Sequence, residues 1–191
     1  MLPEPITVTL QVIDALEQVG ATYVIGGSLA STIHGVVRTT LDTDIVADLT
    51  LQQAQPFADL LAGAFYLDVD TIRHAIRQRS SFNVIHLATM FKVDIFISKN
   101  RPFDRQQLGR RQAWIADPES GRMIYVATPE DTVLAKLAWY RLGGEVSDRQ
   151  WRDILGVLAV QGDRLDLVYL RQWAEALAVS DLLERAFGEL G

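Results

Sequence analysis

The sequence predicts an α/β fold, a mixed twisted sheet flanked by helices, followed by a C-terminal helical bundle. Three observations carry this expectation. Strand-like and helix-like patterns alternate up to about residue 127, only helical patterns follow from Thr128 onward, and glycine or proline stands at many of the changes between them. The expected division is therefore a core over 1–127 and a helical region packed on it over 128–191. No internal repeat, low-complexity stretch or long linker interrupts the pattern.

Pro3 and Pro5 place the first helix at about Thr7, with Val8, Val12, Ile13, Leu16 and Val19 on one face and Gly20 as its stop. Tyr23-Val24-Ile25 reads as a short buried strand halted by Gly26-Gly27, and Ser28 to His34 as a helix closed by Gly35. Asp42 to Ala47 has the β-branched content of a strand. Thr50 caps a helix to about Ala62, in which Pro56 either kinks the helix or marks its true start. A strand at Phe65 to Val69 leads to Asp70, the expected cap of a helix through Gln78. Phe82 to Leu87 and Lys92 to Ile97 form an antiparallel hairpin across the tight Ala88 to Phe91 connection, and a second hairpin joins Gln112–Ala116 to Met123–Ala127. Helices follow at Pro129 to Leu142, Asp148 to Val160, Leu167 to Ala178 and Asp181 to Phe187.

A chain of 191 residues that is 49% apolar can bury a sizeable core. Its longest apolar run, Leu60 to Leu67, ends at Asp68, far short of the roughly 20 residues that cross a bilayer, so a soluble protein with no membrane partner is expected. The opening MLPEPITVTL holds an acid and no base, unlike a secretory signal. The absence of cysteine excludes disulfides and cysteine-based zinc sites and makes a cytoplasmic location the default. A net charge of -6 argues against coating nucleic acid by bulk electrostatics, yet Thr71 to Arg111 holds nine bases against two acids, Asp94 and Asp104. That segment has two readings, a face for a triphosphate or RNA, or solvated surface arginines.

Three features of the first half carry chemistry. Glycines between a strand and a helix let backbone amides approach a phosphate, and Ser28 adds a hydroxyl donor, although Gly-Gly at a strand end is also an ordinary turn. Asp42 and Asp44, separated from Ser28 by 13 residues, lie on one face of their strand, about 7 Å apart at Cα, near enough to share a divalent ion. Hard oxygen ligands of this kind suit Mg2+ or Mn2+ completed by substrate phosphates. The third is Asp94, within Val93-Asp94-Ile95-Phe96-Ile97, where an acid interrupts an apolar strand. A buried carboxylate there needs a metal, a base or a strand end near water, and Lys92 on the same face is the obvious salt-bridge partner.

Ile25-Gly26-Gly27-Ser28, Arg38, Asp42-Thr43-Asp44 and Asp94, in this order and spacing, resemble the signature of the polymerase-beta-like nucleotidyltransferase superfamily. Within it the chain is most similar to the abortive-infection type, the toxin component of bacterial toxin and antitoxin pairs. Lys92-Val93-Asp94 resembles the Lys-x-Asp element of that subgroup, and Lys136, Arg141 and Asp153 its helical lysine, arginine and later aspartate. The resemblance spans about Tyr23 to Leu155.

It implies a nucleotidyltransferase fold and transfer of a nucleoside monophosphate from a nucleoside triphosphate, such as ATP, to a hydroxyl of RNA (a tRNA end among them), of protein or of a small molecule. The implied metal ligands are Asp42, Asp44 and Asp94, the last also deprotonating the acceptor. Gly26, Gly27 and Ser28 would cradle the terminal phosphates, Arg38, Lys92 and Lys136 would bring positive charge, and Asp153 would orient Lys136 or contact substrate. The implied partner is an antitoxin protein. The alternative is a catalytically silent nucleotide-binding or protein-interaction module of the same fold. His34, His74 and His86 lack ligand spacing, Trp139, Trp151 and Trp173 read as helical core, and Trp114 as hairpin surface.

Overall fold

A single mixed sheet of seven strands organises the computed structural model, which describes residues 3–36 and 42–191. The strands are β1 (Thr22–Ile25), β2 (Asp42–Asp48), β3 (Phe65–Tyr66), β4 (Ser81–His86), β5 (Lys92–Ile97), β6 (Gln112–Asp117) and β7 (Arg122–Val126), in the order β3-β4-β5-β2-β1-β7-β6. β2 runs parallel to β5 and β1 parallel to β7, while the remaining neighbours are antiparallel. The helices are α1 (Glu4–Gln18), α2 (Gly27–Ile33), α3 (Ala54–Leu61), α4 (Val69–Gln78), α5 (Pro102–Arg110), α6 (Pro129–Leu142), α7 (Asp148–Gln161), α8 (Leu167–Ala176) and α9 (Ser180–Leu190). Both hairpins expected from the sequence form.

The chain divides into two compact units. The described residues of Met1–Gly26 and Thr39–Val126 form the sheet unit, and those of Gly27–Arg38 and Ala127–Gly191 form a helical unit. α2, although encoded early, groups with the C-terminal helices.

In the sheet unit, alternation sorts β2 cleanly. Thr43, Ile45 and Ala47 are buried, and Asp42, Asp44 and Val46 are half-buried. α1 lies on the buried side, where Thr9 Oγ1 and Thr43 Oγ1 are 2.9 Å apart in a hydrogen bond. The opposite side of β2 therefore carries the two acids. Arg122 fastens the start of β7 to α1 through Asp14 at 2.6 Å and Glu17 at 2.7 Å.

Several boundaries differ from the sequence expectation for identifiable reasons. α1 begins at Glu4 with a proline in its first turn, where the ring costs no hydrogen bond because first-turn amides have no intrahelical acceptor. The same logic places Pro56 in the first turn of α3, which starts at Ala54, so Pro56 marks the start of the helix and does not kink it. α4 is capped by Asp68, whose carboxylate accepts from the Thr71 amide at 2.8 Å, and Asp70 falls inside the first turn. β3 accordingly shrinks to Phe65–Tyr66. α5 has no counterpart in the sequence reading. It buries Asp104 and Gln107 along with Phe103 and Leu108, so its inner face shows little apolar periodicity.

In the helical unit, α2 is locked onto α6 and α7 by its C-terminal end. The neutral His34 ring donates from Nε2 to the Ala127 carbonyl at 2.6 Å, and the Gln161 amide donates to the His34 carbonyl at 2.8 Å. Gly35 has φ +134, and a Cβ there would lie 2.5 Å from Val160 Cγ1, so only glycine fits.

Burial pushes the His34 pKa below the ordinary 6.5, outweighing the Ala127 hydrogen bond and the Glu130 charge, which both favour protonation. The unfolded chain thus binds the proton more readily. The stability this group contributes is complete above pH 6.5 and is lost as pH falls from there through the depressed folded value. Urea midpoints at pH 7.5 and 5.5 should show an acid loss in the wild type that is smaller in His34→Gln; equal losses would contradict this role.

Candidate active site

The candidate residues are positioned by strand register. In the parallel pair of β2 and β5, Asp42 is the partner of Lys92, Thr43 of Val93 and Asp44 of Asp94. Adjacent strands lie about 4.8 Å apart, so the Asp44 and Asp94 backbones are immediate neighbours although 50 positions separate them in sequence. Lys92 and Asp94 are half-buried where Val93 and Ile95 are buried, so they share one face with Asp42 and Asp44. On the far side of β2, the Gly26 amide donates to the Asp44 carbonyl at 2.9 Å, which sets the end of β1 beside the acids.

Carboxylates directly opposite on neighbouring strands repel. Lys92 answers this charge: its Nζ lies 2.7 Å from Asp94 Oδ2, with the lysine side chain 40% exposed and the aspartate 19%. Of the supports considered for Asp94, the structure supplies the base. The hydrogen bond to Asp94 raises the Lys92 pKa above its usual value, partial burial opposes this, and the charges of Asp94, Asp42 and Asp44 add to it. One cation thus feels all three acids.

Whether these residues suit a divalent ion is decided by their chemistry and placement. Three hard carboxylates on one accessible face, at adjacent register positions, are an appropriate donor set for Mg2+ or Mn2+. Among the described residues, no three acidic or histidine side chains are already gathered as a ligand shell. A shared ion would therefore require these carboxylates to draw together.

Ser28 lies in the first turn of α2, which begins at Gly27, where φ is +54, a left-handed value natural to glycine. Arg38 lies outside the described residues. In the helical unit, α6 and α7 pack together and bring Lys136 Nζ to 2.8 Å from Asp153 Oδ2, with the two side chains only 10% and 4% exposed. Arg141 turns elsewhere, to Asp181 at 2.6 Å and Glu145 at 2.8 Å. Gly26, Asp42, Asp44, Lys92 and Asp94 thus belong to the sheet unit, and Gly27, Ser28, Lys136 and Asp153 to the helical unit.

Of the basic segment Lys92 faces the acids, while Arg73, Arg79 and Arg101 pair elsewhere. Arg79 donates to the Ser98 carbonyl at 2.8 Å and lies 3.7 Å from Asp48. Both contacts are at the C-terminal ends of β5 and β2, four residues, or about 13 Å, beyond Asp94 and Asp44. Arg101 is held by Asp104 at 2.9 Å and Arg73 by Asp70 at 3.1 Å. The segment serves mainly to cap and tie local elements.

No family model matches the sequence, and no curated protein matches it. Solved structures do. The antibiotic-resistance factor ANT(2'')-Ia in solution aligns over 97% of this chain and 94% of its own, with TM-score 0.57 and 12% identity. Its crystal structure in complex with adenylyl-2''-tobramycin aligns over 91% and 96%, with TM-score 0.58 and 12% identity. An antigenic nucleotidyltransferase-like protein from Paracoccidioides brasiliensis aligns over 93% and 94%, with TM-score 0.55 and 17% identity.

This chain has the nucleotidyltransferase fold. In this nucleotidyltransferase-fold protein the register also exposes a residue that the sequence reading passed over. Asn83 of β4 is the antiparallel partner of Asp94 and is exposed, so its amide extends the row Asp44, Asp94 on the solvent-accessible face. The expected hairpin, with Leu87 opposite Lys92, would set Ile85 against Asp94, and the observed register, with Ile85 opposite Lys92, sets Asn83 there. Of the histidines, His34 is a core residue, His86 bonds Thr89 at 2.9 Å and His74 is exposed. Trp151 is buried and Trp114 exposed, as expected, but Trp139 is 52% exposed and is not part of the helical core. The buried face of α6 runs through Val133, Leu134, Leu137 and Tyr140 instead. No helix among the described residues is long and apolar enough to cross a membrane.

Proposed function

We propose that this protein is a nucleotidyltransferase that moves a nucleoside monophosphate from a nucleoside triphosphate to a hydroxyl acceptor. The observation that carries this reading is the register pairing of Asp44 with Asp94, with Asp42 on the same face and Gly26 bonded to Asp44, in a chain of this fold. In the reaction the acceptor oxygen attacks the α-phosphorus, the bond to the β-phosphate oxygen breaks, and pyrophosphate leaves. Mg2+ or Mn2+, when bound, supplies positive charge to the triphosphate and to the developing negative charge of an in-line displacement. Asp42 and Asp44 would hold that ion, and Asp94 would hold it and take the acceptor proton. As part of the same proposal, Gly27 and Ser28 supply donors to the phosphates, Arg38 and Lys136 supply positive charge, and Asp153 orients Lys136 or contacts substrate.

The acceptor classes are a small-molecule alcohol, RNA such as a tRNA end, and protein. ANT(2'')-Ia in complex with adenylyl-2''-tobramycin supports the first. RNA and protein acceptors, and a toxin role with an antitoxin partner, rest on the sequence resemblance, and the local pairing of the basic segment removes one reason to prefer RNA. The test is incubation with each α-labelled nucleoside triphosphate, Mg2+, and separate RNA, protein and small-molecule fractions. Transfer of label with release of pyrophosphate is the expected result; neither product in any fraction would refute the enzyme.

A silent module is the second reading, favoured by the Lys92 bridge to Asp94 and by the ungathered ligand set. It requires nucleotide binding, or partner binding, without pyrophosphate release.

A further inference from the structure

Lys92 occupies an unusual position for a residue of a cation site. It is itself a cation, on the same strand face as three carboxylates, and its Nζ is 2.7 Å from one oxygen of Asp94. A divalent ion shared by Asp44 and Asp94 would lie against that ammonium, and the two positive charges cannot both remain in contact with the Asp94 carboxylate without strong repulsion. The lysine has an exit, since its side chain is 40% exposed and an ammonium on a four-carbon stem regains full hydration by rotating outward.

We propose that Lys92 is an exchangeable counter-cation: it pairs with Asp94 and offsets part of the negative charge of the Asp42, Asp44 and Asp94 face in the metal-free protein, and it leaves Asp94 when the divalent ion arrives. This rests on the reading of those carboxylates as ion ligands. The consequence is a two-state site in which the acids are held near one another by a built-in charge, and ion binding is coupled to the release of one side chain. Metal affinity is weakened by the free energy of that ion pair, and the ammonium eases the mutual repulsion of the acids on this face when metal is absent.

The sequence makes this testable in the intact protein, because its lysines are Lys92, Lys99 and Lys136 alone. Lys99 is exposed and Lys136 is buried against Asp153, so each serves as an internal standard. A brief acylation pulse is applied in chelator and in Mn2+, and modification at each lysine is quantified by mass spectrometry. Mn2+ occupancy is measured in parallel from the loss of the free-ion electron paramagnetic resonance signal, with Asp44→Ala as the control. Mn2+ should raise the ratio of Lys92 to Lys99 labelling about threefold or more, the factor expected for releasing a partly exposed ion pair, with no rise in Asp44→Ala. Lys92→Met should bind Mn2+ about fivefold more tightly and melt at a lower temperature in chelator. Mn2+ bound by the wild type with an unchanged labelling ratio would overturn the exchange and leave the ligand assignment standing. No bound Mn2+ in either the wild type or Lys92→Met would overturn both.

Discussion

Asp44→Ala should abolish nucleotidyl transfer, with a loss of at least about a thousandfold in kcat/KM, because ion-mediated stabilisation of the transition state is worth several kcal/mol and each 1.36 kcal/mol is tenfold. The residue occupies the central place in the register, with Asp94 as its strand partner, Asp42 two positions back on the same face, and the Gly26 amide on its carbonyl. The backbone contacts of Asp44 survive the substitution. The Gly26 contact is made by backbone, the side chain lies on the half-buried face, and removing it relieves repulsion with Asp94. The variant should therefore keep the wild-type circular dichroism and melt within a few degrees of it. Near-normal transfer by Asp44→Ala would remove Asp44 from the chemistry altogether.

Asp153→Ala should be the most destabilising of the substitutions considered, by about 3 to 5 kcal/mol, the usual cost of stranding one member of a buried ion pair. Lys136 Nζ is 2.8 Å from Asp153 Oδ2 and both side chains are almost sealed from solvent, so water cannot take the place of the missing carboxylate. Replacing both partners by apolar residues, Lys136→Met with Asp153→Leu, should recover most of that loss, since an apolar pair has no charge left to desolvate. Urea denaturation of the single and double variants measures this. A single variant within about 1 kcal/mol of wild type would contradict the assignment. A double variant that recovers stability but transfers no label would show that the Lys136 and Asp153 pair serves the chemistry as well as the fold.

What the sequence disclosed about the site followed from local rules. The two-residue period puts Asp42 and Asp44 on one face, and the short connection after Leu87 announces the hairpin that brings Asn83 to Asp94. The pairing of β2 with β5 was beyond those rules, because strand order within a sheet is set by packing across the whole unit, and nothing near Asp44 names its neighbour. The Lys92 choice was open for the same reason; only the register shows that its ammonium faces three carboxylates and not one.

The basic stretch left two readings open, a charged face or solvated surface arginines. The fold leads the chain through α4, β4, β5 and α5, and Arg73, Arg79 and Arg101 find partners at the ends of separate elements. α5 was missed because polar residues fill half of its buried face, so apolar periodicity had nothing to register. Trp139 lies between the buried Leu137 and Tyr140, two positions from the first and one from the second, a distinction that a 3.6-residue period draws coarsely.

The proposed chemistry requires that Asp42, Asp44 and Asp94 take a common divalent ion. Crystals grown with Mn2+ and a non-hydrolysable nucleoside triphosphate analogue, measured at the manganese absorption edge, answer this directly. An anomalous peak within ligation distance of carboxylate oxygens from Asp44 and Asp94, with Asp42 and the analogue's phosphates completing the shell, is the expected result. Bound analogue with no peak at these carboxylates, or with Lys92 still bridged to Asp94 and the metal elsewhere, would contradict it.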